Sequence, residues 1–283
     1  MKQIHHFKIG NYQCTSLLDM VGERDVWQTF PNVPQDQLQA ALDEVDMSAD
    51  WIRHGNVLLI DTGEKKVLID SGLSTDAGGL LVSNLAEMGL SPSDIDMILV
   101  THGDFDHVGG LKDFPDSEII LPKESYRLWT EELERMVEEF LKLSRDRASA
   151  EQLAGMKNGR LQYPQSFPAL KPRLKLVDSD TDILRGIRFI AAPGHRRDHF
   201  AVEVKSKGET VLHIVDAFRH PIHCQHPNFP CLFDSYPEQL ASTIRMLMAR
   251  AADSDALVYG SHFVFPGLIK IGRQESEFVW LDA

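Results

Sequence analysis

Four short apolar segments of this 283-residue chain are each followed, at once or within three residues, by a histidine or an aspartate. The four pairs are IDMILV (95–100) with His102, IRFIAA (187–192) with His195, TVLHIV (210–215) with Asp216, and ALVYG (256–260) with His262. Apolar runs of this length are typical of buried β-strands. Because ligands of layered α/β proteins collect at the carboxyl ends of strands, we expect these four side chains to meet at one edge.

Strand and helix patterns are mixed along the whole chain. NVLLID and KVLID flank the turn TGEK and predict an apolar hairpin over 56–70, and helical spacing is predicted over 34–45, 81–89 and 236–252. Residues 19–34 combine scattered aromatic residues with turn formers and are expected to form a loop. This mixture predicts an α/β fold of layered sheets and helices, in a single domain that covers residues 1–283.

Residues 124–160 are helical in pattern and rich in charge. Leu133, Met136, Val137 and Phe140 fall on one face, which gives the segment an amphipathic character. Two interpretations stay open: a surface helix pair packed on the core, or a lid-like helical insertion over a cleft.

The chain is acidic, with a formal net charge of −13. Such a surface repels phosphate backbones, so we expect a small-molecule substrate and no nucleic-acid partner. The three cysteines lack paired spacing, which favours a reducing, cytoplasmic location over a disulfide framework. Neither a signal peptide nor an apolar stretch long enough to cross a bilayer is recognised, so no membrane association is expected.

One segment concentrates residues that can bind metal. His102, Asp104, Asp106 and His107 form an H-x-D-x-D-H cluster of four ligand-type side chains within six residues. The cluster follows a predicted strand and runs into Gly109 and Gly110, which allow the backbone to fold tightly behind it. Imidazole suits zinc, iron, copper or nickel, and carboxylate favours harder ions. Together with His195, Asp216 and His262, the cluster predicts a metal site.

The segment THGDFDHVGG (101–110) resembles the T-H-x-H-x-D-H-x-G-G signature of the metallo-β-lactamase superfamily. The later segments APGH (192–195), HIVDAF (213–218) and GSHF (260–263) resemble its remaining motifs in order, and the similarity covers about residues 52–270. Any one of these motifs alone is weak evidence, but their combination is specific. The resemblance implies a four-layer αββα sandwich with mixed sheets and a metal site at one edge.

Carried over residue by residue, the resemblance implies two divalent metal ions. His102 and His195 would hold the first, Asp106, His107 and His262 the second, and Asp216 would bridge them. Two metals so placed could share a hydroxide that is nucleophilic near neutral pH. Relatives in the family are often dimers, which makes a homodimer an expectation here as well.

Asp104 departs from the family pattern, which has a histidine at this position. A carboxylate can still bind metal through oxygen, and it makes the site harder. Zinc is the expected metal, and iron or manganese becomes an alternative because of this residue. If Asp104 does not bind, the first metal would be weak or absent.

Other candidate residues lie near the predicted ligands. Asp70 either orients a ligand histidine by accepting its ring N–H or caps a turn. Asp104 or Asp106 could carry a proton to the leaving group. His220 is the candidate for contact with substrate, on a loop whose prolines prevent His220, His223 and His226 from sharing a helix face.

The run from Asp216 to Phe265 is similar to a subgroup that contains methyl parathion hydrolase and the N-acyl homoserine lactone lactonases. This similarity implies a metal-dependent hydrolase in which a metal-bound hydroxide attacks a lactone, an ester or a phosphotriester. Two alternatives stay open. One is a non-haem iron oxidoreductase, flavodiiron-like or sulfur dioxygenase-like, suggested by the carboxylate at Asp104. The other is a binding protein on a degenerate enzyme fold.

Overall fold

The structure is a computed structural model that describes residues 3–146, 148–179, 181–275 and 277–283. Its strands are β1 (Ile4–Ile9), β2 (Tyr12–Asp25), β3 (Asp50–Asp61), β4 (Lys66–Ile69), β5 (Met97–Leu99), β6 (Glu118–Pro122), β7 (Leu174–Val177), β8 (Asp182–Leu184), β9 (Ile187–Ala191), β10 (Phe200–Ser206), β11 (Glu209–Val215), β12 (Leu257–Gly260), β13 (Leu268–Gln274) and β14 (Glu277–Asp282). Its α-helices are α1 (Val26–Thr29), α2 (Gln35–Glu44), α3 (Leu81–Glu87), α4 (Phe105–Val108), α5 (Lys123–Arg127), α6 (Leu133–Ser144), α7 (Ala150–Ser166) and α8 (Pro237–Asp253).

The strands form two mixed sheets of seven strands each, in the orders β1-β2-β3-β4-β5-β6-β7 and β14-β13-β12-β11-β10-β9-β8. In the first sheet β4, β5, β6 and β7 run parallel to one another, and in the second sheet β11 and β12 are parallel. The predicted hairpin is present, since β3 and β4 pair antiparallel from Leu58↔Ile69 to Asp61↔Lys66.

The two sheets pack face to face around a shared apolar core. Leu58, Ile69 and Leu99 of the first sheet lie in one buried cluster with Phe189 and Val202 of the second. The outer face of each sheet is covered in turn. Helix α3 contributes Leu81 and Leu85 to the cluster over the first sheet, and α8 contributes Leu240 and Ile244 to the cluster over the second. This αββα arrangement confirms the predicted fold class.

The prediction of a loop over 19–34 is wrong for its first half. β2 continues to Asp25 and pairs with β3 as far as Asp25↔Asp50, after which α1 follows directly. A bulge interrupts the regular alternation of β2 between Leu18 and Met20. The residues after it are stabilised by pairing with β3, 25 to 35 positions later in the chain, which the local sequence does not show.

Residues 123–166 are largely helical, as expected: α5, a π-helical turn (Leu128–Glu132), α6 and α7 follow one another. Met136, Val137 and Phe140 of α6 are buried, so its amphipathic face packs inward. Whether the segment acts as a lid stays a prediction. In the part of the chain that the structure describes, no helix has both the length and the apolar character needed to cross a membrane.

Candidate metal centre

The carboxyl ends of strands from both sheets meet at one rim of the sandwich. β5 leads to His102 and the short helix α4 from the first sheet, while β9, β11 and β12 lead to His195, Asp216 and His262 from the second. All seven predicted ligands lie in a continuous network of contacts there: His102, Asp104, Asp106, His107, His195, Asp216 and His262. The expectation that these residues converge is therefore met.

The first group of ligand atoms surrounds His102 and His195. The two imidazoles and Asp216 each offer an atom within 4.8 Å of the others. Asp216 Oδ2 lies 4.0 Å from His102 Nε2 and 3.5 Å from His195 Nε2. Asp104 Oδ2 lies 3.8 Å from His102 Nε2 and 3.2 Å from His195 Nε2. The carboxylate that replaces the expected histidine thus faces the same point as the other three groups.

The second group consists of Asp106, His107 and His262, whose ligand atoms also lie within 4.8 Å of one another. His262 Nε2 is 3.6 Å from Asp106 Oδ2. Asp216 reaches this group too, with Oδ1 3.3 Å from His107 Nε2 and Oδ2 3.3 Å from His262 Nε2. Asp216 therefore stands between the two groups, where the family resemblance puts a bridging ligand.

Each of the four imidazoles has its Nδ1 beside a separate hydrogen-bond partner. Nδ1 of His107 lies 2.8 Å from Asp70 Oδ2, and Nδ1 of His195 lies 3.0 Å from Asp234 Oδ1. The other two partners are the Thr101 hydroxyl for His102, at 3.1 Å, and the His54 carbonyl for His262, at 2.9 Å. The network assigns the proton to Nδ1 in each ring, so that every Nε2 lone pair points into the cluster.

The arrangement fits a metal site because buried hydrogen-bond acceptors of the imidazoles and carboxylates face one another with no donor between them. Three buried atoms have no hydrogen-bond partner among the described residues: Nε2 of His102, Nε2 of His107 and Oδ1 of Asp216. A lone pair directed at a carboxylate oxygen is unfavourable unless a cation lies between them. Imidazole nitrogen with carboxylate oxygen is a donor set that binds zinc, iron or manganese. The residues present therefore fit the metal ions that the family resemblance implies.

The charges around the cluster keep its carboxylates ionised. Burial raises the pKa of the Asp216 carboxyl, but the charges of His262 and Arg219 outweigh it, and the pKa lies well below its usual range. Burial likewise raises the pKa of Asp104, but the guanidinium groups of Arg160 and Arg196 hold it well below the usual value. Both side chains thus present negative charge to the centre at neutral pH.

The pKa of His107 is shifted upward, whereas the pKa values of the two carboxyl groups are shifted downward. Burial lowers the pKa of its imidazole, but the carboxylates of Asp216 and Asp70 raise it well above the ordinary value. Without a metal, a proton on Nε2 supplies the cation that Asp216 needs. Metal binding at this position would therefore release that proton.

The loop that carries the cluster is fixed by the end of β4. The Ser71 backbone N–H donates to the His107 carbonyl at 2.8 Å, and Gly110 N–H donates to the Gly72 carbonyl at 3.0 Å. A Cβ on Gly110 would lie 2.2 Å from the Ser71 carbonyl oxygen, so the close approach requires glycine. Asp70 itself has a φ of 62° and accepts from the Thr101 N–H at 2.8 Å and the Thr101 hydroxyl at 2.7 Å.

Val215, directly before Asp216, has a φ of 55°. A β-branched residue is strained in the left-handed region, and such strain is typical of sites where the backbone must aim a side chain. His199 supports the same turn, because its Nε2 accepts from the Asp216 N–H at 3.1 Å. The left-handed backbone at Val215 and the hydrogen bond to His199 together direct the Asp216 carboxylate into the cluster.

Four arginines that the sequence analysis did not identify border the cluster. Arg53 pairs with Asp106, Arg219 with Asp216, and Arg196 with Asp104 and Asp198. Arg160 lies with Nη2 3.8 Å from Asp104 Oδ2. Asp234, whose Oδ1 lies 3.0 Å from His195 Nδ1, was not assigned this role from the sequence either. Most of these partners lie far apart along the chain, and the two close pairs, Arg219 with Asp216 and Arg196 with Asp198, form no recognisable motif.

His220, the predicted substrate contact, is fully buried. Its Nδ1 accepts from the Ile222 N–H at 3.3 Å, which caps a short 3-10 helix (Pro221–Cys224), and its ring lies against Phe30. Burial lowers the pKa of His220 to about 3. These contacts give His220 a capping role, and its contact with substrate stays a prediction.

A cavity of about 950 Å³ is lined by none of the predicted ligands. Its walls are mostly apolar and include Met47, Phe263, Val264 and Trp280, and of the residues in contact with the cluster only Arg219 lines it. The cluster itself borders a much smaller polar cavity lined by Asp19, Asn56, Asp70, Asp106, His107, Ser261 and His262, with Gly55 and Val57. The candidate site is therefore identified by its metal-binding side chains and not by the size of the cavity next to them.

The model of the metallo-beta-lactamase superfamily matches residues 51–262 of this chain. A protein of Mycobacterium tuberculosis named "probable metallo-hydrolase" is 30% identical over 187 residues, which are 58% of this chain and 57% of that protein. An N-acyl homoserine lactonase of Bacillus cereus is 23% identical over 184 residues, or 56% of this chain and 62% of the lactonase. The chain thus spans little more than half the length of these curated relatives.

Two solved structures are similar over nearly the whole chain. AidC, a dizinc quorum-quenching lactonase in complex with a product, has a TM-score of 0.86 at 22% identity and covers 99% of this chain and 97% of its own. The hydrolase AbOPH has a TM-score of 0.84 at 24% identity, with 100% of this chain and 98% of its own covered. At these identities the similarity establishes the fold.

Proposed function

The chain belongs to the metallo-β-lactamase superfamily, and from that premise we propose that it is a metal-dependent hydrolase of lactones, carboxylic esters or phosphotriesters. One observation carries the proposal: each of four imidazoles has its Nδ1 beside an outward hydrogen-bond partner, and its Nε2 faces a carboxylate of the cluster. The Nε2 atoms of His102 and His107 are buried and make no hydrogen bond with the described residues, whereas a site built only for stability would pair them.

Divalent metal ions, when bound at such a site, lower the pKa of water and polarise the bond to be cleaved. The protein would hold them with His102, His195 and Asp104 on one side, Asp106, His107 and His262 on the other, and Asp216 between. In hydrolysis a water oxygen bonds to the acyl carbon or phosphorus, the ester C–O or P–O bond breaks, and the leaving oxygen takes a proton. We assign that proton transfer to Asp104 or Asp106, whose carboxylates are the least buried of the set.

Two apolar side chains next to the ligands support a substrate with an apolar part. Phe105, directly after Asp104, is 42% exposed, and Val264, two residues after His262, is 55% exposed. Large exposed apolar side chains beside a polar cluster are typical of a binding site. The lactonases and hydrolases among the similar proteins agree with this substrate class.

The helical segment reaches this site, which supports the lid proposal. Gly159 of α7 packs next to the Phe105 ring, and Arg160 donates to the Phe233 carbonyl at 2.7 Å and the Ser235 hydroxyl at 3.1 Å. Opening of α6 and α7 would therefore uncover the side of the cluster at Asp104. We propose that this segment shapes the substrate pocket.

We propose zinc as the metal and keep iron as the alternative. The alternative depends on the Asp104 carboxylate, 3.2 Å from His195 Nε2, because a carboxylate ligand suits iron better than a histidine would. With iron, the protein would be an oxidoreductase. Elemental analysis of protein purified without added metal, followed by oxygen-uptake assays, separates the two.

The proposed function is tested by a hydrolysis screen of lactones, aryl esters and phosphotriesters. Metal-loaded protein is expected to hydrolyse members of at least one class, and chelator-treated protein to lose that activity. His107→Ala should lose both metal and activity, whereas His6→Ala, an exposed histidine on β1, should keep both. Full hydrolysis by metal-free protein would contradict the proposal.

A further inference from the structure

The four arginines at the metal centre are not equivalent. Arg160 binds the Phe233 carbonyl and the Ser235 hydroxyl and stacks 3.8 Å from the Phe140 ring centroid. Arg196 bridges Asp104 and Asp198. The two side chains are 8% and 1% exposed, so a solute reaches them less readily than it reaches Arg53, at 15%.

Arg53 has donors to spare. Its Nη2 binds Asp106 Oδ2 and lies 3.3 Å from His262 Nε2. Its Nε lies 3.4 Å from Nδ1 of His262, but that ring nitrogen already donates to the His54 carbonyl and offers no lone pair. Nη1 makes no hydrogen bond within the described part of the chain. The side chain is 15% exposed, so a solute can reach it.

Arg219 also has an unused donor. Its Nη2 donates to Asp216 Oδ2 at 2.6 Å and lies 3.2 Å from His195 Nδ1, whereas its Nε is buried without a hydrogen-bond partner among the described residues. The guanidinium groups of Arg53 and Arg219 lie 6.0 Å and 5.6 Å from the centroid of the same ring, Phe233. Two cations with free N–H groups therefore flank one side of the metal centre, next to His262.

We propose that Arg53, with Arg219 beside it, binds an anionic group of the substrate, and that the protein prefers esters bearing a carboxylate or a phosphate oxyanion to neutral ones. This inference rests on the proposed hydrolase function. It narrows the carboxylic esters to those that carry a charge and, for phosphate, extends the substrate class from triesters to diesters. Guanidinium is suited to the role because its planar fork matches both oxyanions. Arg53 is thereby a specificity-determining residue.

The first test compares matched substrates on the metal-loaded protein. 4-Nitrophenyl succinate and 4-nitrophenyl acetate form the carboxylate arm, and ethyl 4-nitrophenyl phosphate and diethyl 4-nitrophenyl phosphate form the phosphate arm. We expect a higher kcat/KM for the charged member of at least one pair, and that arm identifies the anion. Equal or faster hydrolysis of both neutral members would overturn the inference. This comparison needs no variant, so no folding defect affects it.

The second test is Arg53→Gln, with Arg53→Lys as the conservative variant. For the preferred anionic substrate, Arg53→Gln should raise KM about tenfold, and Arg53→Lys should fall between it and the wild type. Arg245→Gln, at an exposed arginine on α8, is the matched control and should change nothing. An unchanged ratio of charged to neutral kcat/KM in Arg53→Gln would refute the role of Arg53.

A binding experiment separates this inference from the proposed function. Calorimetric titration of the metal-loaded protein with succinate and with inorganic phosphate requires no turnover. Arg53→Gln, at equal metal content, should bind the preferred anion about tenfold more weakly than the wild type. If no ester is hydrolysed but this difference appears, the hydrolase proposal fails and the anion site stands. If hydrolysis occurs without the difference, the anion site fails alone.

Discussion

At the scale of single residues, the orientation of each ligand depends on the partner of its other ring nitrogen. Thr101, Asp70, Asp234 and the His54 carbonyl each receive one Nδ1 proton, and each comes from a different part of the chain. Such partners fix the tautomer and the angle of a ring before any metal arrives. Asp70 was predicted as one alternative for this role, and the structure shows the contact.

Asp234→Asn should therefore weaken metal binding without removing a ligand. Loss of the charge beside His195 Nδ1 makes the ring less basic and less firmly oriented, so we expect a 10- to 100-fold loss in metal affinity, roughly the range for partners of this kind. Competition with a chromophoric chelator measures it. Asp178→Asn, an exposed partner of Lys123, is the control. Equal affinities of Asp234→Asn and the wild type would contradict the account.

Asp19 is the clearest source of pH-dependent stability in the metal-free protein. Burial raises the pKa of its carboxyl to about 6, although backbone N–H groups of Leu73 and Leu81 donate to it. The folded state therefore binds this proton more tightly than the unfolded state, whose pKa is about 3.9, and stability falls as pH rises between these values.

Asp19→Asn provides the reference for that effect. The stability of the wild type relative to Asp19→Asn should fall by about 2 kcal/mol between pH 4 and pH 7. Urea unfolding at a series of pH values measures the difference, in which most other titrating groups cancel. A difference that is constant or rises with pH would show that Asp19 has no raised pKa.

The seven predicted ligands could be identified from sequence because each directly follows a recognisable strand or lies in one dense motif. The four arginines were not identified. Arg219 pairs with Asp216 only three residues away, but such a spacing in a loop does not by itself indicate an ion pair, and the other arginines reach the ligand carboxylates over longer distances in the chain. Arg53 pairs with Asp106 across 53 positions, and Arg196 meets Asp104 across 92. These ion pairs form only when the chain folds, and the spacing of apolar and polar residues along the sequence does not indicate them.

At the scale of elements, the central strands were predictable and the edges were not. β4, β5, β11 and β12 are continuous apolar runs because they are buried on both faces. β1, β13 and β14 were not predicted. β14 is only partly buried or exposed along its length, so its side chains do not follow the pattern of a buried strand.

Gly110→Ala tests the packing of the metal-binding loop against β4. The added Cβ meets the Ser71 backbone oxygen, so we expect a loss of about 2–4 kcal/mol in the free energy of unfolding. Gly155→Ala is the matched control, since Gly155 is exposed in α7 with nothing within 4 Å of its Cβ position. That change should stabilise by about 0.5–1 kcal/mol. Chemical unfolding of both metal-free variants measures the contrast, and a neutral Gly110→Ala would contradict the close approach.

At the scale of the whole molecule, the ligands join the two sheets. His102, Asp104, Asp106 and His107 extend from the first sheet, and His195, Asp216 and His262 from the second. Metal bound between them would link the halves of the sandwich, so its effect should be global rather than local. The fold class was predictable because the motifs occur in a fixed order, but the pocket was not, since α6, α7 and the loop after β11 shape it through long-range contacts.

Metal removal should therefore lower the melting temperature of the entire protein. At a free metal concentration of 100 times Kd, binding contributes about 2.7 kcal/mol. For a chain of this size we expect chelation to lower Tm by about 5–10 °C in one cooperative transition. Differential scanning calorimetry with and without chelator measures the shift. An unchanged Tm would show that the ligands do not link the sheets through metal.

The central claim is that residues from both sheets converge to bind divalent metal, and metal stoichiometry tests it most directly. Elemental analysis after incubation with zinc and removal of the excess should give about two ions per chain for the wild type and fewer for His107→Ala and His262→Ala. A wild type without stoichiometric metal, or variants with the same metal content as the wild type, would contradict it.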